Sequence, residues 1–425
     1  MKIRTTGSRT FLAVAAVLGI VSLVGSWIGS HYLTVRVSEV LSAEPLELCK
    51  YPGDEGIGTH CFLDYYEGEF APNYPPASKW IFQPFVAIEK VTGSALTALY
   101  FWLIASALAL LTPLWWATRR QPALRWPLLV LGVASSAFAG PLDRGNSVAF
   151  VVPFLLLFAV GTLRSVPAMA ITGIVGAAVI KPQYAVLLIV PFVLGRWREV
   201  GRSVLGIGVI QGVGFALGES GFVDEAGQFV RASLNRSADY AIFDSSNVSF
   251  SQTLHDVARL IQGWLGWETQ LTDFEYAHRN AIVLVVLLVS TAVARVAARQ
   301  SRNDLVVIIG LVVASLCVGT TYYYYQCFVL VVAAIIIRDP RVAEGSRGIL
   351  DAANQTSTST ALLTVAAAST MFNLPIDSSY FGWYTNEMGV VIEATSVSRS
   401  FTVPLWITAI AAVLTGWRRR SAAVA

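Results

Sequence analysis

The sequence predicts an all-α, polytopic membrane fold of about twelve transmembrane helices, and three observations predict it. Of its 425 residues 55% are hydrophobic and 13% are charged, with a mean hydropathy of +0.60. So few charged groups cannot cover the surface of a water-soluble globule. Apolar runs of membrane-crossing length, or somewhat shorter where a helix is broken inside protein, recur along the whole chain. Counted by alternation, most of the 30 Lys and Arg fall in loops on one side, and most of the 27 Asp and Glu on the other.

The first apolar run, residues 11–29, comes after Lys2, Arg4 and Arg9 and lacks a convincing small-x-small cleavage site. It reads as a retained first helix and not a signal peptide. The further spans are 95–116, 126–140, 147–163, 167–180, 183–195, 203–218, 280–297, 304–319, 324–337, 360–374 and 402–417. The whole chain, 1–425, is one integral membrane domain. Cationic loops stay in the cytoplasm, so the face with Arg4, Arg119, Arg120, Arg196, Arg198, Arg338, Arg341 and Arg418 to Arg420 is the inner one. Both termini then lie inside, in a plasma (inner) membrane. The net charge of +3 comes from these arginines and carries no sign of nucleic-acid binding.

Three long segments lie outside, 30–94, 219–279 and 375–401, each expected to carry short helices at the membrane surface. Lys79 to Val91 and Ser251 to Trp264 mix apolar and polar positions at helical spacing. Cys49 and Cys61 share the first of these segments and could bridge in an oxidising compartment. Cys317 and Cys327 flank Tyr322 to Tyr325 near the outer face.

The first outer segment holds His60, Asp64, Glu67 and Glu69, then Asn73, Tyr74, Pro75 and Pro76. Two successive prolines fix φ twice and brace the loop against the membrane surface. Asp64 is thus a candidate general base, with Glu67, Glu69 and Asp54 as rivals, though acidic residues are common in outer loops. Between the third and fourth spans stand Asp143, Arg144, Gly145, Asn146 and Ser147. Charges at such depth are costly and usually paired, and a helix start favours an anion. A cap with a snorkelling arginine reads the same residues without a ligand.

At Lys181, Pro182, Gln183 and Tyr184 a new helix begins on proline with a lysine just before it. A phosphate would be stabilised there, which makes Arg144, Lys181 and Asn146 a candidate phosphate site. In the second outer segment Asn247, Ser249, His255 and Asp256 form a polar stretch suited to sugar hydroxyls, or to capping a helix. The aromatics Tyr322 to Tyr325, Trp383 and Tyr384 fit an interfacial belt or sugar stacking. There is no Walker loop, dinucleotide fingerprint, zinc motif or nucleophile elbow at a plausible place.

Taken in order, Asn73-Tyr74-Pro75-Pro76, Arg144-Gly145-Asn146-Ser147, Lys181-Pro182 and Asn247-Val248-Ser249 resemble glycosyltransferase family 87, over roughly residues 11–340. The resemblance implies a GT-C-like enzyme of inverting type that takes a sugar, such as mannose or arabinofuranose, from a polyprenyl-phosphate donor. It implies a glycolipid or polysaccharide acceptor of the cell envelope, a hexosyl or pentosyl transfer, and an active site on the outer face. Asp64 would then be the base, Arg144 and Lys181 with Asn146 the donor-phosphate ligands, and Asn247, Ser249, His255 and Tyr74 the acceptor side. Family members commonly carry an acidic residue at the outer end of the first helix, where this chain has Ser30 and His31. Clustered Asp and Glu permit a divalent metal, Mg or Mn, without demanding one.

The competing reading is a secondary transporter with twelve spans, and a third is a flippase for the same lipids. A carrier of two six-helix halves would place its long connection inside, after the sixth span. Here a short basic turn comes after Gly195, and the long segments are outside.

Overall fold

The computed structural model describes residues 6–32, 75–119, 122–143, 146–218, 221–239, 249–250, 253–254, 271–317, 321, 323–342, 348–351, 357–372, 375–377, 384–385, 391–392, 394–396 and 402–424. The helices among them are α1 (Thr6–Tyr32), α2 (Gln83–Thr92), α3 (Ala95–Thr118), α4 (Pro122–Val133), α5 (Ser136–Asp143), α6 (Val148–Arg164), α7 (Pro167–Ile180), α8 (Ile189–Val193), α9 (Trp197–Ala216), α10 (Phe222–Asp239), α11 (Leu271–Arg299), α12 (Asn303–Leu316), α13 (Phe328–Ile337), α14 (Ser357–Met371) and α15 (Thr402–Val424). Four 3-10 helices join them, Pro76–Ile81, Pro182–Leu188, Tyr323–Cys327 and Ile349–Asp351.

Each of the twelve predicted spans contains helical residues among those described, with 126–140 interrupted at residues 134–135 and 183–195 divided between two elements. By length and composition, Thr97–Thr118 and Ala281–Arg299 suffice to cross a membrane, and Pro122–Val133 with Ser136–Leu142, bent by 52°, would make a third span if the pair is continuous. Others are shorter apolar helices, such as Gly7–Ser22, Val148–Arg164, Pro167–Ile180 and Asn303–Leu316. The chain is a membrane protein. Exposed Ile20 on α1, Ile104 and Leu108 on α3, Leu205 and Val209 on α9, and Leu284 and Leu288 on α11 form apolar outer faces that water would not tolerate at this extent.

Two expectations are corrected. The segment 183–195 is not one α-helix: Pro182–Leu188 is 3-10 and α8 adds a single short turn, because Pro182 lacks the N–H needed to continue α7. In 375–401, where surface helices were expected, the described residues form two small antiparallel ribbons, Pro375–Asp377 with Ala394–Ser396 and Tyr384–Thr385 with Val391–Ile392. Their β-branched residues, Ile376, Thr395, Val391 and Ile392, favour a pleated pair over a helix. Among the described residues, segments 30–94 and 219–279 contain the helices α2 and α10.

At the centre of the bundle, α12 from Asp304 to Leu316 and the whole of α13 are buried. Around them pack α3, α6, α14 and α15. Among the described residues, α6 packs extensively against α7. A Cβ on Gly173 would lie 2.3 Å from Phe158 N and 2.6 Å from Phe154 O, so only glycine permits this approach of the two backbones. Beside this seam, Trp102 on α3 is wholly buried, stacked on Phe82 at 4.7 Å and edge-on to Phe85 at 4.9 Å, and also touching Phe150. This aromatic knot seats α2, the last part of the first outer segment, on α3 and α6.

One end of the bundle is held by arginines that donate to carbonyls at neighbouring helix ends, where the last turn leaves acceptors without intrahelical partners. Arg338 Nη1 reaches Trp116 O at 2.7 Å and its guanidinium lies 4.4 Å over the Trp116 ring. Arg164 Nε donates to Pro340 O at 2.7 Å, and Arg196 Nη1 to Thr162 O at 3.2 Å. Arg295 donates to Val193 O. These ends of α3, α6, α8 and α13 are the ones that alternation assigns to the basic face. The same end carries the bidentate pair of Arg302 with Asp304, at 3.0 and 2.9 Å. Arg341 is clasped by Asp339, and that hydrogen bonding pushes the guanidinium's pKa up from its ordinary value.

Candidate functional site

At the opposite end, α7 stops at Ile180 and the chain turns extended through Lys181, with φ −136° and ψ 104°. The Lys181 N–H still donates to Ala177 O at 2.9 Å, and its carbonyl accepts from Tyr184 N–H at 3.0 Å, so the break is stitched on both sides. The residue is only 1% exposed. A buried ammonium is costly unless polar or π groups stabilise it. One such group is the ring of Tyr325, whose centroid lies 5.6 Å from Lys181 Nζ. A desolvated cation over an aromatic face is stabilised by about 2 kcal/mol.

Two residues beyond, Gln183 holds a side-chain nitrogen that is buried and has no hydrogen-bond partner among the described residues. The break therefore concentrates donors: one ammonium and one amide N–H2. The helix-dipole part of the sequence argument is weaker than expected, since Pro182 opens a seven-residue 3-10 helix and not a long α-helix. Tyr184 is wholly buried, and its hydroxyl pairs with Ser315 Oγ on α12 at 3.4 Å.

The 3-10 helix Tyr323–Cys327 links this break to the other predicted junction. It packs against α5 and α6, which meet at Asn146 and Ser147, while Tyr325 faces Lys181. Tyr324 and Tyr325 are 6% and 5% exposed with ring centroids 4.9 Å apart. They are packed inside the bundle, which corrects the expectation of an interfacial belt or sugar-stacking platform for these two. Gln326 Nε2 reaches Thr402 Oγ1 of α15 at 3.4 Å and fixes the turn from its far side.

Asn146 accepts a hydrogen bond from Val148 N–H on its Oδ1 at 3.0 Å, and its own N–H donates to Pro141 O at 2.9 Å. Its oxygen thus serves the start of α6 as an Asx turn, and only its amide nitrogen is left as a donor for a ligand. Ser249 is 1% exposed and its carbonyl accepts Thr253 N–H at 3.1 Å, so it opens a helical turn. Asp64, Tyr74, Arg144, Asn247 and His255 lie outside the described residues, as do Cys49, Cys61, Asp54, Glu67 and Glu69. Cys317 and Cys327 are buried free thiols. Among the described residues no three His, Cys, Asp or Glu side chains come together to hold a metal ion.

The sequence alone did not single out Ser78 or Gln211. Ser78 Oγ donates to Val179 O at 2.7 Å, and Gln211 Nε2 from α9 donates to the same oxygen at 3.2 Å. Their only signal was position: Ser78 comes just after the Pro75-Pro76 pair, and Gln211 is a polar residue inside an apolar run.

Compared with known proteins, the chain matches the model of glycosyltransferase family 87 over residues 73–319, more than half its length and including the Lys181 break, α6, α7 and α9. No curated protein and no solved structure matched it.

Proposed function

Since the chain belongs to glycosyltransferase family 87, we propose that it transfers a sugar, mannose or arabinofuranose, from a polyprenyl-phosphate donor to a cell-envelope glycolipid or polysaccharide on the outer face of the plasma membrane. The observation that carries this reading is the break after α7, where the Lys181 ammonium over the Tyr325 ring and the Gln183 amide nitrogen, which has no hydrogen-bond partner among the described residues, are both held inside the protein. Both groups are donors, which suits a departing phosphate.

In this scheme the twelve predicted spans all cross the membrane, with both termini inside and the three long segments, 30–94, 219–279 and 375–401, outside. A hydroxyl oxygen of the acceptor attacks the anomeric carbon and forms the new glycosidic bond. The bond from that carbon to the phosphate oxygen breaks with inversion. Asp64 takes the hydroxyl proton, and polyprenyl phosphate leaves with its negative charge facing Lys181 and Arg144. Asn146 contributes its amide nitrogen to the phosphate, and Asn247, Ser249, His255 and Tyr74 line the acceptor side. Because the donor carries its own activated leaving group, the protein's part is to position, to accept one proton and to stabilise one anion. Divalent Mg or Mn at the outer carboxylates is compatible with the scheme and no step is routed through it.

The test is a transfer assay on purified protein with radiolabelled polyprenyl-phosphate sugars, comparing wild type with Asp64→Asn, Arg144→Ala and Lys181→Ala. Turnover should fall by roughly 10²-fold or more in Asp64→Asn, the scale of a lost general base. If all three variants stay within a few-fold of wild type, the site assignment is wrong.

A further inference from the structure

Three elements meet on one carbonyl just ahead of Lys181. Val179 O is among the last acceptors of α7, and Pro182 prevents the helix from continuing to satisfy them. Ser78 supplies one hydrogen bond from the 3-10 helix Pro76–Ile81, just ahead of α2, and Gln211 supplies another from α9. A third constraint comes from Gly214, one turn beyond Gln211, where an added Cβ would lie 2.6 Å from Ala77 N and 2.9 Å from its Cβ. The backbone of residues 76–81 is therefore pressed onto α9 while its serine reaches α7.

We infer that Ser78 and Gln211 are positioning residues, and that this three-way joint sets the distance between the first outer segment and Lys181. The inference rests on the proposed function, in which that segment carries the base and Lys181 faces the donor phosphate. Neither side chain touches the reacting atoms. Each acts through Val179 O, fixing the chain two residues before the ammonium and five residues after Asn73. The carboxylate and the cation belong to different elements, and a displacement of about 1 Å between reacting groups can cost on the order of 10²-fold in rate.

The experiment measures kcat and donor KM for Ser78→Ala, Ser78→Thr, Gln211→Met and Gly214→Val with radiolabelled polyprenyl-phosphomannose and polyprenyl-phosphoarabinofuranose. Hydrogen exchange over residues 75–92 and 177–184 is monitored on the same purified proteins. Ser78→Ala should lower kcat roughly tenfold with donor KM within about twofold, because Lys181 stays on α7 while the base-bearing segment loosens. Ser78→Thr, which keeps the hydroxyl, should restore kcat. Gly214→Val should reproduce the kcat loss by pushing Ala77 off α9. Exchange should rise in both peptides for Ser78→Ala and not for Ser78→Thr.

The inference is overturned if folded Ser78→Ala keeps wild-type kcat, if its exchange is unchanged, or if the fall in apparent kcat is no larger than the loss of folded fraction measured on the same sample. Lys181→Ala distinguishes the two failures. If it leaves donor KM unaltered the site reading fails, whereas if it raises KM and Ser78→Ala does nothing, the joint alone fails. Should wild type transfer neither sugar, the exchange measurement still decides whether the joint exists.

Discussion

Replacing Gly173 by valine should part α6 from α7. The Cβ would stand 2.3 Å from Phe158 N, 2.6 Å from Phe154 O and 2.7 Å from Phe158 Cα, all backbone atoms that no rotamer change can move. Ordinary contact needs about 3.4 Å or more, so the helices must separate by roughly 1 Å. Helix α6 has nowhere to retreat, since Val151, Val152, Leu155, Phe158 and Ala159 are fully buried against the rest of the bundle. Overpacking of this kind costs about 1–3 kcal/mol. Against it stands the gain of up to about 1 kcal/mol when glycine leaves a helix interior. The clash wins.

The matched control is Gly212→Ala on α9, where nothing lies within 4 Å of the added methyl, so only the propensity gain remains. Thermal unfolding in detergent should show Gly173→Val melting lower and Gly212→Ala equal or higher. Because α7 leads directly to Lys181, donor KM should rise in the first variant as well. An unchanged melting midpoint for Gly173→Val would refute the close-packed seam.

The same geometry sets other outcomes. Lys181→Met keeps the length of the side chain and removes the charge, and donor kcat/KM should fall about 10- to 100-fold, the equivalent of one charge-assisted contact of roughly 1.5–3 kcal/mol. Lys181→Arg should not rescue it, since a planar guanidinium overfills a site that is 1% exposed. Asp304→Ala removes the bidentate partner of Arg302, itself 7% exposed, and should destabilise the fold by about 3–5 kcal/mol, read as a lower unfolding midpoint. Trp102→Ala removes the hub of the aromatic knot, a truncation on the scale of about 3–5 kcal/mol, and limited proteolysis at Lys79 and Lys90 should accelerate.

Helix positions were legible because the apolar runs are long and the prolines and charges mark their ends. The 126–140 run is helical only on either side of a 52° bend at residues 134–135, whereas Pro182 does end α7 at the expected residue. Lys181 was legible as a candidate for the same reason: a lysine before a proline between two apolar runs is uncommon. Its burial and its partner Tyr325 were not, because they depend on α5, α6 and the Tyr323–Cys327 turn converging from distant parts of the chain. The ribbons in 375–396 were missed because strands of two or three residues are too short to show period-2 alternation. Ser78 and Gln211 escaped notice since a serine and a glutamine acquire meaning only through the carbonyl they share.

Bond cleavage decides the matter most directly. Purified protein in sealed proteoliposomes, given polyprenyl-phosphomannose or polyprenyl-phosphoarabinofuranose labelled in the sugar together with an envelope glycolipid extract, should release unlabelled polyprenyl phosphate and move label onto the glycolipid. Appearance of intact labelled donor on the far leaflet, with no polyprenyl phosphate formed, would make the protein a carrier of these lipids and contradict the account.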